Sequence, residues 1–405
     1  MKKSDKPIVI AGAGIGGLSA ARALGLKGFE VVVLEQADEI KPIGYGIQLG
    51  PNAYHMFERL GIADKVRHAS TFPEAGLMRD IFTGEIVSRF PMGESIQKRY
   101  GQPYTVTHRG DLHDALLHGC DDCPTVSVVT GARVEGFVDN GDCVTVSTAN
   151  GQSHQAQALV GADGVWSAVR EQMGCPSSPQ SFGYIAYRGL ISRKDLPEDL
   201  FENVVCLWAG PGFHMMSYPV RGDELFNIVA VFRSRRFTRG EDGAGGPDEL
   251  MEIFDDAHPK VKRLLQFVGL EHHWDVAVMD PVDKWSKGRV TLMGDAAHAM
   301  LQALAQGACQ SIEDGVWLGE LVDRYRDDIP RAFSQFETLR KSRTLRAQYQ
   351  SRLYWEVYHA AGGYAELRRE QLGRRSDQQA IESMSWLYEV PDFSEASGFH
   401  ELDRR

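Results

Sequence analysis

Pro7-Ile-Val-Ile-Ala-Gly12-Ala-Gly14-Ile-Gly-Gly17 leads into Leu18-Ser-Ala-Ala-Arg-Ala-Leu24 and then into Glu30-Val-Val-Val-Leu-Glu35. The first run is short, apolar and partly β-branched, the pattern of a parallel strand buried on both faces. Glycines at GxGxxG spacing then turn the chain into a helix, and a second apolar strand ends on an acid. Each residue type has a mechanical reason. Gly12 permits a tight turn, Gly14 lets a pyrophosphate approach the backbone, and Gly17 lets the helix pack closely on the strand. The helix start offers free N–H groups and a positive dipole end to phosphates. Glu35 can accept hydrogen bonds from both hydroxyls of an adenosine ribose, and its charge disfavours a 2′-phosphate. The stretch predicts an α/β fold opening on a Rossmann-like dinucleotide site; it does not separate NAD from FAD.

Two later segments bear on that choice. Gln157-Ala-Leu-Val-Gly-Ala-Asp163-Gly164, followed by Val-Trp-Ser167-Ala-Val-Arg170, again reads as strand, acidic turn and helix start. Alone, an Asp-Gly pair marks an ordinary turn. The apolar run Val290-Thr-Leu-Met293 leads into Gly294-Asp295-Ala-Ala-His298, and small residues follow at Ala305, Gly307 and Ala308.

In order and approximate spacing, these three segments resemble the class A flavoprotein aromatic hydroxylases, the single-component FAD monooxygenases, over nearly the whole chain. The resemblance implies a para-hydroxybenzoate-hydroxylase-like fold: a Rossmann-like FAD-binding domain interleaved with a β-sheet substrate domain and followed by a C-terminal helical segment. It implies that Asp295 hydrogen-bonds the ribityl chain of FAD and that the Asp163–Gly164 turn lies close to FAD and the nicotinamide cofactor. Arg109, in Thr107-His-Arg-Gly-Asp-Leu112, matches the family position that reaches the ribityl-pyrophosphate region; by itself it reads as a surface charge. Ala305, Gly307 and Ala308 keep side chains away from the flavin ring. The helix beginning near Gly307, with Ile312 and Val316 facing the core, can turn its N–H groups toward the flavin N1/C2=O edge. The implied cycle reduces FAD with NAD(P)H, adds O2 at flavin C4a and hydroxylates an electron-rich ring through the resulting hydroperoxide.

Such a site needs a proton acceptor with a pKa near neutrality. In Trp208-Ala-Gly-Pro-Gly-Phe-His214-Met-Met-Ser-Tyr218-Pro, alternation puts His214, Met216 and Tyr218 on one strand face. A lone histidine there would ordinarily be a hydrogen-bonded core residue. Gln302 changes the reading, because many family members have proline at that position. Together with Arg99-Tyr-Gly-Gln-Pro-Tyr104, these departures resemble the branch of the family that converts 3-hydroxybenzoate to gentisate with NADH and O2; NADPH stays open. That resemblance implies His214 as base for the phenol, Gln302 as hydrogen-bond partner of the phenolate or incoming oxygen, and Tyr218 as the residue orienting the substrate. His298 is expected to make a structural hydrogen bond, and Ala299, in place of a common proline, carries no functional meaning.

With 405 residues, 43% hydrophobic and 24% charged, the chain reads as an ordinary globular protein, long enough for two or three domains or one large interleaved pair. Its net charge of −11 and lack of a basic stripe argue against nucleic acid. No apolar segment reaches membrane-span length, no signal-peptide pattern opens the chain, and no metal-ligand pattern is complete. The six cysteines (Cys120, Cys123, Cys143, Cys175, Cys206 and Cys309) read as reduced surface thiols in a cytoplasmic protein. Residues 1–75, 103–180 and 278–329 are assigned to the FAD domain, 76–102 and 181–277 to the substrate domain, and 330–405 to a helical region. Pro330 should open a long helix with Phe333, Phe336, Leu339, Leu345, Tyr349 and Leu353 as its apolar stripe, ended by Gly362-Gly363. The basic residues from Arg340 to Arg352 should form its solvated face, and homodimerisation is an expectation. The readings weighed beside 3-hydroxybenzoate are salicylate or another hydroxybenzoate as substrate, an FAD-dependent oxidase or dehydrogenase without oxygen transfer, and a flavin-bound interaction module.

Overall fold

The structure, a computed structural model, describes residues 6–41, 44–175 and 178–390. Ile8–Ala11 forms the fully buried centre of a six-stranded sheet. Val31–Leu34 and Ala158–Gly161 pair with it in parallel on either side, and Val126–Val129 and Val290–Leu292 extend the parallel array outward. The first crossover is the helix Ile15–Leu26. Gly17 is required there by packing, since a Cβ would overlap the carbonyl oxygen of Gly12. Gly12 itself has φ +100°, a conformation that favours glycine, and its added Cβ would stand 2.5 Å from the Ala162 carbonyl oxygen. The strand order brings the GxGxxG turn, the Asp163–Gly164 turn and the Gly294–Asp295 turn to the same end of the sheet, where open α/β folds bind ligands.

A second, seven-stranded sheet runs in the order Trp274–Val278, Gln180–Ser192, Leu225–Arg233, Phe213–Val220, Val204–Gly210, Ala75–Asp80 and Ile86–Pro91. All its pairings are antiparallel except that between Val204–Gly210 and Ala75–Asp80. Its register puts Arg188, Val229 and Met216 in one cross-strand row, with His214 and Tyr218 two residues to either side of Met216. One face of this sheet covers the cleft; the other packs Tyr187, Trp208, Phe213, Met215 and Phe232 into a separate core with Leu250, Phe254 and Val261.

The long helix spans Ile329–Tyr358, roughly 45 Å at 1.5 Å per residue. Pro330 sits in its first turn and the Asp328 side chain accepts the Arg331 N–H. It ends at His359, short of the expected Gly362-Gly363; Gly362 instead precedes the next helix, Gly363–Gly373. The expected apolar stripe is correct for Phe333 and Phe336, but Leu345, Tyr349 and Leu353 are exposed by 41%, 65% and 48%. The inward face of that half carries Arg340, Thr344, Ala347, Gln348, Ser351 and Trp355. An apolar stripe misleads here because the face pointing inward meets buried carboxylates as well as hydrocarbon.

Arg340, expected on the solvated face, is 1% exposed. Its guanidinium donates to Asp314 Oδ1 (2.7 Å), Glu313 Oε2 (2.6 Å) and Gln310 Oε1 (2.8 Å). Arg343 adds two hydrogen bonds to Glu313 and reaches the Trp386 and Leu387 carbonyls. The thiols also differ from expectation. Cys120, Cys123, Cys143, Cys206 and Cys309 are buried free thiols and Cys175 is half-buried; they serve as small packing groups rather than surface ones.

Candidate active site

A cleft of about 420 Å³ lies between the two sheets. Gly14, Gly16, Arg109, Ala162, Gly164, Asp295, Gly307 and Ala308 line one part of it, and His214, Met216, Tyr218, Gln302, Trp355 and Tyr358 another. Two helices, Ile15–Leu26 and Gly307–Arg324, begin at its wall without a side-chain cap. Their first N–H groups and positive dipole ends are therefore available to an anionic or carbonyl-rich ligand. A Cβ at Gly14 or Gly164 would meet no atom within 4 Å, so the backbone there borders open space into which a ligand can fit.

Glu35, at the end of the second strand, accepts the Ala13 N–H at 2.8 Å and the Ala37 N–H at 2.9 Å, which ties its carboxylate to the glycine turn. Asp295 opens into the cleft, yet its surroundings desolvate the carboxyl and raise its pKa against the pull of His298 and Arg109. Asp163 behaves differently from its neighbour. Its carboxylate accepts the Ser167 hydroxyl at 2.5 Å and the Val169 N–H at 3.2 Å, capping the following helix, while Gly164 lines the cleft. Taken together, the donors, the open glycine backbones and the acid beside the first turn fit a flavin dinucleotide.

The Gly294–Asp295 turn is held from behind. Asp314 Oδ2 accepts the Gly294 N–H at 2.9 Å and lies 2.6 Å from His298 Nε2. His298 thus makes the structural hydrogen bond expected of it. Glu313 and Asp314 are both fully buried, and neighbouring groups (Arg343 and Arg340 beside Glu313, His298 and Arg340 beside Asp314) hold each carboxyl down at about 2 despite the opposing cost of burial.

His214 is 2% exposed, and its Nδ1 lies 2.8 Å from Nε2 of His359. Trp355 and Tyr358 stand edge-on to its ring at 5.4 and 5.9 Å. Burial drives its pKa well below the ordinary histidine value, with His359 adding to the effect. That direction departs from the near-neutral proton acceptor expected of the site. Tyr218 is buried, and burial pushes its hydroxyl up to about 12. Gln302 sits exposed in the short turn Gln302–Leu304, and its side chain makes no hydrogen bond to the described residues. Ala305 follows at φ +53°, a strained value for a residue with a Cβ. Tyr358 donates to the Ala303 carbonyl at 2.6 Å and so pins this turn to the long helix.

Sequence reasoning missed the wall supplied by the end of that helix. Trp355, Tyr358 and His359, at i, i+3 and i+4, share one face, and this aromatic spacing was the available signal. It also missed Arg188, which lines the cleft between the rings of Tyr45 (5.4 Å) and Trp274 (5.6 Å) and makes no ion pair or side-chain hydrogen bond among the described residues. Burial lowers its pKa.

Residues 5–328 match the family described as FAD binding domain. The 3-hydroxybenzoate 6-hydroxylase of Polaromonas naphthalenivorans (strain CJ2) is 40% identical over 95% of this chain and 96% of its own. The enzyme of the same name from Klebsiella oxytoca is 36% identical over 94% and 96%. Among solved structures, Klebsiella pneumoniae HpxO complexed with FAD and uric acid aligns with a TM-score of 0.83 at 25% identity, covering 96% of this chain and 98% of that one.

Proposed function

This chain belongs to the FAD-binding flavoprotein aromatic hydroxylases, and from that premise we propose that it hydroxylates 3-hydroxybenzoate para to its hydroxyl, giving gentisate at the expense of NADH and O2. The reading rests on one observation above the others: His214, Tyr218 and Gln302 share a cleft with the glycine turns. When bound, FAD accepts hydride from NADH and activates O2 for transfer to an electron-rich ring. Gly12, Gly14, Gly17, Glu35, Arg109, Gly164, Asp295, Gly307 and Ala308 are the residues that would hold it, with Asp163 shaping the turn.

The protein's part is to place the phenol and manage its proton. His214 accepts the phenol hydrogen bond. Its low basicity suits a late transfer, because the phenol becomes strongly acidic as the ring carbon para to it is attacked. Gln302, with free donors and an acceptor, holds the phenolic or incoming oxygen. Tyr218 stays protonated and donates to the substrate carboxylate, while Arg188 offers an unpaired cation to the same group. The aromatic wall of Trp355 and Tyr358 excludes water.

The domain division at residues 1–75, 103–180 and 278–329 against 76–102 and 181–277, with 330–405 as helical region, belongs to the same proposal. So do a cytoplasmic location and a homodimer. No helix among the described residues is long and apolar enough to cross a membrane. Coupled NADH and O2 consumption across a panel of hydroxybenzoates, with product identification, tests the activity. Gentisate from 3-hydroxybenzoate is the expected product; release of CO2 from salicylate as the dominant reaction would replace the substrate assignment.

A further inference from the structure

A second cavity, of about 190 Å³, adjoins the cleft. Gln48, Met216, Gln302, Ala303, Ala305 and Tyr358 line both spaces and so form the wall between them. Most of that wall is held by other bonds. Gln48 accepts the Tyr104 hydroxyl at 2.6 Å, Tyr358 donates to the Ala303 carbonyl, and residues 302–305 belong to one short turn. Met216 is the flexible member, an unbranched thioether that adapts to the space it is given.

The sheet register explains why Met216 stands on the boundary. One cross-strand row runs Arg188, Val229, Met216, Leu207, Met78. Arg188 and Val229 line the cleft, Leu207 and Met78 line the second cavity, and Met216 between them lines both. The two spaces therefore lie side by side over one face of the sheet, divided at this side chain. It packs against an apolar cluster on each side, one with Tyr184, Val231 and Trp355, the other with Met92, Tyr104 and Tyr388.

His214 and Tyr218 flank Met216 along the strand Phe213–Val220, two residues away in either direction and on the same face. A meta acid whose hydroxyl meets His214 and whose carboxylate meets Tyr218 turns the ring edge between those groups, carbon 2, toward Met216. Carbon 6, para to the hydroxyl, then faces away from the strand. We propose that Met216 is a specificity-determining residue: it stops the ring at carbon 2 and closes an apolar subsite, the second cavity, to substituents on that carbon. The assignment rests on the hydroxybenzoate reading above. The space behind the partition is sufficient, since an apolar cavity of about 150 Å³ can hold benzene and this one is larger. Met216→Ala removes Cγ, Sδ and Cε, none of them a hydrogen-bonding nitrogen or oxygen, and joins the two spaces.

The test compares FAD-loaded wild type and Met216→Ala on 3-hydroxybenzoate and its 2-methyl and 4-methyl derivatives, by calorimetric binding and by product formation. One methyl group in or out of a fitted apolar pocket changes preference about 10- to 200-fold. Wild type should favour 3-hydroxybenzoate over the 2-methyl acid by about tenfold or more, in Kd and in kcat/KM. Met216→Ala should erase most of that preference and leave the standing of the 4-methyl acid unmoved. Met216→Val, which keeps a side chain suited to a strand, should fall between the two and carries the test if the alanine variant does not fold. A 2-methyl penalty that survives both substitutions, or no penalty in wild type, overturns the proposal. So does an equal change for all three acids, the signature of a packing role. Wild-type enzyme that neither binds nor converts 3-hydroxybenzoate removes the substrate reading and this assignment with it; conversion with an unmoved 2-methyl penalty removes this assignment alone.

Discussion

Replacing Arg340 with methionine should destabilise the protein and loosen its cofactor site together. The guanidinium is buried and donates to Asp314, Glu313, and both the side chain and the backbone carbonyl of Gln310. Methionine keeps most of the volume and removes the charge, leaving two buried carboxylates to share Arg343, Asn52, His298 and the Gly294 N–H. Removing one partner of a buried ion pair costs about 3–5 kcal/mol. The carboxyl groups lead to a similar figure. Glu313 and Asp314 are held at about 2, against 4.5 and 3.8 for the ordinary groups; at 1.36 kcal/mol per pKa unit this is roughly 2–3 kcal/mol each, of which Arg340 supplies a part. Since both folded pKa values are depressed, the contribution is complete above the unfolded values and is lost as pH falls from about 4.5 toward about 2. Urea unfolding at pH 7 should therefore place the variant about 3–5 kcal/mol below wild type, and the gap should narrow below pH 4.5. Flavin fluorescence on dilution should reveal weaker FAD retention, because Asp314 holds the Gly294–Asp295 turn through the Gly294 N–H. A loss below about 1 kcal/mol, the size of an exposed pair, or a gap that does not shrink in acid, would refute the reasoning.

Gly17→Ala should abolish flavin retention or folding, because the new methyl overlaps the Gly12 carbonyl; a yellow, fully loaded variant would disprove that account of the turn. His214→Ala should leave NADH-driven flavin reduction intact and slow hydroxylation by about 10²-fold or more, with H2O2 rising; normal hydroxylation would remove His214 from the proton step. Gln302→Ala, on an exposed turn, should keep stability within about 0.5 kcal/mol and shift oxygen from product to peroxide, whereas unchanged coupling removes it from the mechanism. Arg188→Gln should raise KM for the carboxylate substrate about tenfold or more, the cost of losing a charge-assisted hydrogen bond. KM for an uncharged phenol should stay put, and a parallel rise for both would show a packing role.

Sequence alone determined the parts whose demands are local. A buried parallel strand, a glycine turn and a helix leave a readable signature because each glycine answers a backbone constraint within a few residues: Gly12 by its φ, Gly17 by its contact with Gly12. Strand alternation likewise put His214, Met216 and Tyr218 on one face, and the cleft receives all three. Tertiary structure alone decided what surrounds them. The partner of His214 lies 145 residues away, at the end of a helix whose sequence resembles a packing segment. Arg340 looked solvated because its periodic position carries no mark of the two carboxylates on the neighbouring helix that neutralise it. Burial and pairing belong to the folded arrangement of distant segments, and they set protonation and charge; a sequence names the groups but not the dielectric they will share.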